Sequence, residues 1–211
     1  PGFLNFTLRD GTLISVLQEI SDMGEEWGTS DAGKGKTVMV EYFQLNIAKR
    51  PHIGHLRSAV IGDALKRIFM SQGYKAVSDT HVGDWGTQFG ILLLGYKELV
   101  GEESTKARII VDPFAFLEDI YAKENKKIED DPARREKAKE EFAKLERGNK
   151  GNRKIWQWMV DVSMKKLEES TERLMLLPFD EHKGESSYEK DMAPIVEEAL
   201  QRDVAVHKED G

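Results

Sequence analysis

Residues 41–58 read EYFQLNIAKRPHIGHLRS, and no other stretch restricts the fold as much. The apolar run Val38, Met39 and Val40 ends in an acid, Glu41, and a turn holding Asn46, Lys49, Arg50 and Pro51 follows. His52-Ile53-Gly54-His55 then opens a helical pattern, because Ile53, Leu56, Val60, Ala64 and Ile68 recur three or four apart on one helix face. The order is strand, loop, helix, with two histidines where the helix begins.

A helix N-terminus carries unpaired N–H groups and the positive end of the helix dipole, so it suits a phosphate. Gly54 lets a nucleotide approach the backbone. His52 and His55 share one side of the first turn, and Lys49 and Arg50 add cationic charge just upstream. Such a group is suited to stabilising charge on an α-phosphate during nucleotidyl transfer. The plainer alternative is a His-x-x-His pair with no role beyond the helix start. Zinc is disfavoured, since no glutamate lies between the histidines and the chain has no cysteine. A phosphate loop of the form G-x-x-x-x-G-K-[ST] fails in both upstream frames: Gly35 follows Lys34 in one, and Ser30 replaces the first glycine of the other.

Residues 37–43 form an apolar run with one acid, as expected of a parallel strand buried on both faces. Glu41 lies near its C-terminal end, where open α/β sheets bind ligands. A guanidinium is a good partner for a carboxylate there, because two parallel N–H groups match two oxygens. That guanidinium belongs either to a ligand or to a protein arginine such as Arg50 or Arg57.

The helix from Ile53 is expected to reach about Gln72 and stop at Gly73. Residues 74–79 read as a second strand, completing a βαβ unit whose right-handed crossover brings residues 79–86 near His52. Asp84, Trp85 and Gln88 thus become candidates to line a pocket; alternatively Trp85 packs and Asp84 caps a helix over 87–100. Asp112-Pro113 and Asp131-Pro132 each open a further helix, running to about 128 and 147. A third spans about 152–175 with Ile155, Met159, Val162, Lys166 and Leu174 inward. Short strands are expected at 3–9, 177–180 and 205–207, a helix capped by Asp10 over 11–23 with Leu13, Val16, Leu17 and Ile20 on one face, and a helix over 193–202. The mixed charges of 123–154 read as a solvated face.

The formal charge is −7 over 211 residues, so the chain lacks the basic balance of a stand-alone nucleic-acid binder. No apolar run is long enough to span a membrane. No signal-peptide pattern is present, and a chain without cysteine fits a cytoplasmic setting.

The string from Asn46 to Ser58, with Val82-Gly83-Asp84-Trp85-Gly86-Thr87-Gln88-Phe89-Gly90 after it, resembles the arginyl-tRNA synthetases. Its His52-Ile53-Gly54-His55 is similar to the histidine signature of class I aminoacyl-tRNA synthetases. The resemblance implies an α/β fold: a Rossmann-like parallel sheet, the first half of a class I catalytic domain, with a mainly helical insertion. Residues 1–23 would be the tail of an N-terminal tRNA-contacting domain, 24–36 a linker, 37–100 the first half of the catalytic domain and 101–211 the insertion. Residues 184–188 resemble a family loop.

By the same resemblance His52, His55 and Lys49 are catalytic, and His52, Ile53, Gly54 and His55 bind ATP. Glu41, Asn46 and Gln88 bind arginine. The implied substrates are ATP with Mg²⁺, L-arginine and tRNA(Arg), with no dedicated protein metal site and no tightly bound cofactor, in a cytoplasmic monomer. Phe43, Gln44, Leu45 and Pro51 depart from the usual family residues. The Pro-Gly start and a closing turn over 208–211 suggest a fragment, and the resemblance implies that the C-terminal half of the enzyme is missing from it. The rival readings are another nucleotidyltransferase with the same histidine motif, and a non-catalytic fragment that binds ATP or arginine weakly.

Overall fold

The computed structural model describes residues 2–207. Two parallel strands, β1 (Thr37–Glu41) and β2 (Lys75–Asp79), pair in register from Thr37 opposite Lys75 to Glu41 opposite Asp79. The helix that joins them, α2, spans Ile53–Ser71. It ends where Gly73 adopts φ 79°, packed against the Ser30 carbonyl so closely that a Cβ would lie 2.8 Å from that oxygen. This is the expected βαβ unit.

Helices make up most of the rest. They are α1 (Asp10–Met23), α3 (Thr87–Leu99), α4 (Glu103–Val111), α5 (Pro113–Asp130), α6 (Pro132–Glu146), α7 (Lys150–Arg173) and α8 (Glu189–Gln201). The two Asp-Pro starts form as read: Asp112 Oδ1 accepts from the Ala115 N–H at 2.9 Å, and Asp131 Oδ1 from the Ala133 N–H at 3.0 Å. Helices α3, α5, α6 and α7 enclose one core around Phe89, Leu92, Leu93, Phe116, Leu117, Leu145 and Met159. A second core, around Val40, Tyr42, Phe43, Ala59, Val82 and Leu167, joins the sheet to α7.

Several local expectations are corrected. Residues 3–9, 177–180 and 205–207 form no strand, although Glu181, just past the second of these segments, makes a single parallel bridge with Asp79. The closing turn over 208–211 lies outside the described residues. Asp10 is the first residue of α1 rather than its cap, and no residue of α1 is buried. Helix α4, with Thr105 its one buried residue, adds to the expected elements. Along α7 and at its C-cap, Met159 is buried and Ile155, Val162 and Leu174 pack partly buried against the cores as expected, whereas Lys166 is exposed and the inward face is wider, taking in Trp156, Val160, Ser163, Leu167 and Thr171.

The sheet strand is also less enclosed than its composition suggests. Of β1 only Val40 is buried, and Met39 is 59% exposed. On α2 the apolar stripe through Val60 and Ile68 faces solvent, while Ala59, Gly62, Asp63 and Lys66 face inward. Steric fit and charge explain this choice. Gly62 gives the Tyr42 ring room that a Cβ would occupy. Lys66 Nζ donates to Ser78 Oγ at 2.7 Å, the Pro178 carbonyl at 2.9 Å and Asp180 Oδ2 at 2.8 Å. Asp63 accepts from Arg67 Nε at 2.7 Å and from the Leu177 N–H at 2.7 Å. These bonds fasten the segment after α7 against α2 and β2, and every buried charge in them has a partner.

Candidate active site

His52 takes an extended conformation just ahead of α2, and its Nδ1 accepts from the Gly54 N–H at 3.1 Å. The His55 Nδ1 accepts in turn from the His52 backbone N–H at 3.1 Å. This is a reciprocal cap in which imidazole nitrogens do the work that Ser and Glu do in the usual capping box. The ring centroids are 3.9 Å apart at 44°. The cap has a chemical consequence: a neutral imidazole that accepts through Nδ1 must carry its proton on Nε2. Both rings therefore keep an Nε2–H donor, and neither Nε2 has a hydrogen-bond partner among the described residues. Burial, then the neighbouring His52, lowers the His55 pKa from its ordinary 6.5, which favours this neutral form.

Glu41 stands at the C-terminal end of β1, opposite Asp79, and is exposed. Its carboxylate accepts from the Gln44 amide. The protein-arginine alternative is not realised by Arg50, whose Nε pairs instead with Glu118 Oε2 at 2.6 Å, and among the described residues Arg57 forms no ion pair with it. The loop that follows is tied to the far side of the sheet. Asn46 bridges Gly83, with the Ile47 N–H donating to the Gly83 carbonyl at 3.2 Å. A Cβ on Gly83 would collide with Asn46 Oδ1, so the glycine makes room for that amide. Gln88, in the first turn of α3, donates to the same Gly83 carbonyl at 3.0 Å. Asn46 and Gln88 therefore meet on one residue. Lys49 is drawn elsewhere: its Nζ sits 4.9 Å from the centre of the Tyr121 ring on α5.

The fold links Asp84 to residues 184–188. Asp84 is buried and does not cap α3, whose start at Gly86 has no side-chain cap. Its Oδ1 accepts from the Ser186 N–H at 2.8 Å and its Oδ2 from Ser186 Oγ at 2.6 Å. Gly184 packs directly on that carboxylate. The Asp84 carbonyl accepts from Trp156 Nε1 at 2.8 Å. Trp85 packs edge-on against Trp156 and beneath the Arg153 guanidinium, which is 4.9 Å from the Trp85 ring centre. The only hint in sequence was an acid and a Gly-x-Ser a hundred residues apart. Among the described residues no cluster of acids and histidines has the make-up of a metal site, and no helix is long and apolar enough to cross a membrane.

Residues 17–211 match the family model described as tRNA synthetases class I (R), catalytic domain. The chain belongs to that family. The arginine–tRNA ligase of Chloroflexus aggregans is 42% identical over 99% of this chain, and that of Fusobacterium nucleatum 36% identical over 98%. The chain spans only 36% and 35% of the length of these two relatives. The crystal structure of the Plasmodium falciparum arginyl-tRNA synthetase superposes with a TM-score of 0.64 at 24% identity, over 90% of this chain and 30% of that one. The Thermus thermophilus arginyl-tRNA synthetase also gives 0.64, at 23% identity over 95% of this chain and 30% of that one. These structural likenesses bear on the fold alone, and they agree with a class I synthetase α/β architecture bearing a helical insertion.

Proposed function

We propose that this chain supplies part of the substrate site of an arginine–tRNA ligase that uses ATP, L-arginine and tRNA(Arg). In the complete enzyme the arginine carboxylate attacks the α-phosphate of ATP and pyrophosphate leaves. The terminal ribose hydroxyl of the tRNA then attacks the arginyl carbonyl, and AMP leaves. The observation that best supports this reading is the reciprocal histidine cap, which frees two Nε2–H donors at a helix N-terminus. His52 and His55 stabilise charge on the phosphate in the transition state rather than acting as nucleophiles, with the α2 N-terminus beside them. Ile53 and Gly54 form the backbone against which ATP lies. Lys49 assists after leaving Tyr121.

Glu41 binds the arginine guanidinium, and Asn46 and Gln88 hold its other end. Among the described residues Glu41 has no cationic partner, which suits a role as receptor for a charged ligand. Mg²⁺ travels with ATP, and the enzyme works as a cytoplasmic monomer. By itself the chain does not sustain exchange, a view supported by its short span of the relatives and by the solvent-facing apolar stripe of α2.

The test is tRNA-dependent, arginine-dependent pyrophosphate exchange by the complete enzyme carrying this chain. Glu41→Gln is expected to raise the KM for arginine by roughly tenfold or more, leaving the KM for ATP unchanged. His55→Ala is expected to slow activation by about a hundredfold with little change in arginine affinity. Equal losses of arginine binding and activation in His55→Ala would refute the transition-state role, and robust exchange by the isolated chain would refute the view that it is only part of the site.

A further inference from the structure

The loop between Glu41 and His52 is held at two points where its backbone is least at ease. Phe43 and Ala48 both have φ 59°, in the left-handed region that a Cβ disfavours, and both are fully buried. Each N–H is met by a serine hydroxyl from a different helix: Phe43 by Ser58 Oγ of α2 at 3.1 Å, and Ala48 by Ser163 Oγ of α7 at 3.1 Å. Ser163 is buried, and its own proton is committed to the Met159 carbonyl at 2.9 Å. Its lone pairs are therefore what it offers to Ala48. A buried N–H deprived of its acceptor cannot turn to water, so removing the hydroxyl favours some other loop conformation.

Ala48 sits between Asn46 and Lys49, two residues given substrate roles above. We propose that Ser163 is a positioning residue for the arginine-binding loop, so that α7 of the helical insertion sets the geometry of the substrate site. This rests on the function proposed above. Ser163 touches no reacting atom; it acts by holding the Ala48 N–H and thereby the placement of Asn46.

Two measurements test it in the complete enzyme. The first is amide hydrogen exchange at Ala48, which needs no activity. Ser163→Ala is expected to speed it by about tenfold, the loss of one buried hydrogen bond. The second is pyrophosphate exchange, in which Ser163→Ala is expected to raise the KM for arginine about tenfold while kcat stays within about threefold. Ala48→Gly in the Ser163→Ala background is expected to recover part of the lost affinity, because glycine adopts φ 59° without penalty. A merely structural serine predicts a lower Tm with an unchanged KM, and that result overturns the proposal. So does equal protection of the Ala48 amide with and without the hydroxyl. If the wild-type enzyme shows no arginine-dependent exchange, the proposed function fails, while Ala48 exchange still decides whether Ser163 holds the loop.

Discussion

Replacing Glu141 with glutamine removes the central charge of a network that joins three helices. Glu141 on α6 accepts from Lys144 Nζ at 2.7 Å, from Asn152 Nδ2 of α7 at 3.0 Å and from Lys97 Nζ of α3. Burial alone would raise its pKa, but the bonds from Lys144, Lys97 and Asn152 outweigh it and hold the carboxyl at about 2 against an ordinary 4.5. That difference corresponds to about 3 kcal/mol. The lysine side chains are 36% and 45% exposed, so solvent screens part of it and about 2 kcal/mol remains. In a chain of this size that is a fall in Tm of about 6 °C.

The pH dependence gives the sharper check. Below the ordinary carboxyl value the unfolded chain takes up a proton that the folded chain refuses. The Glu141 contribution is thus complete above about pH 5 and is lost as pH falls toward about 2. Thermal melts followed by circular dichroism from pH 7 down to pH 3 should show the gap between wild type and Glu141→Gln narrowing. A Tm within 1 °C of wild type at pH 7, or a gap that stays constant with pH, would refute this reasoning.

His55 gives a second pH effect of the opposite chemical kind. Its pKa is lowered, so an NMR titration should find a midpoint below 6.5, and the cap contributes fully above that value and weakens as the solution is acidified below it. The His52 amide, which donates to His55 Nδ1, should then exchange faster at pH 5 than at pH 7 once the intrinsic pH dependence is removed; unchanged protection would count against the cap. Gly83→Ala should displace the Asn46 amide, whose oxygen occupies the space of the new Cβ. In the complete enzyme the arginine KM should rise about tenfold or more, with Tm nearly unchanged because Asn46 is exposed. Wild-type arginine affinity in that variant would remove Asn46 from the site.

Local chemistry written within a few residues was legible without coordinates. The helix starts at Asp112 and Asp131, the stop at Gly73 and the strand–loop–helix order around His52 each depend on backbone groups meeting nearby side chains, so the chain carries them in its own letters. The family strings named the residues to watch. The letters misled where burial decides the outcome. The apolar stripe of α2 faces solvent, and a face bearing Gly62, Asp63 and Lys66 packs instead, because Tyr42, Ser78 and Asp180 complement it in shape and charge.

The links that shape the candidate site are longer still. Ser163 reaches Ala48 across 115 positions, and Ser186 reaches Asp84 across 102. No periodicity encodes such pairs. A single serine hydroxyl gains a structural role only when the packing of α7 excludes water from the amide it faces, and that exclusion is a property of the folded chain as a whole.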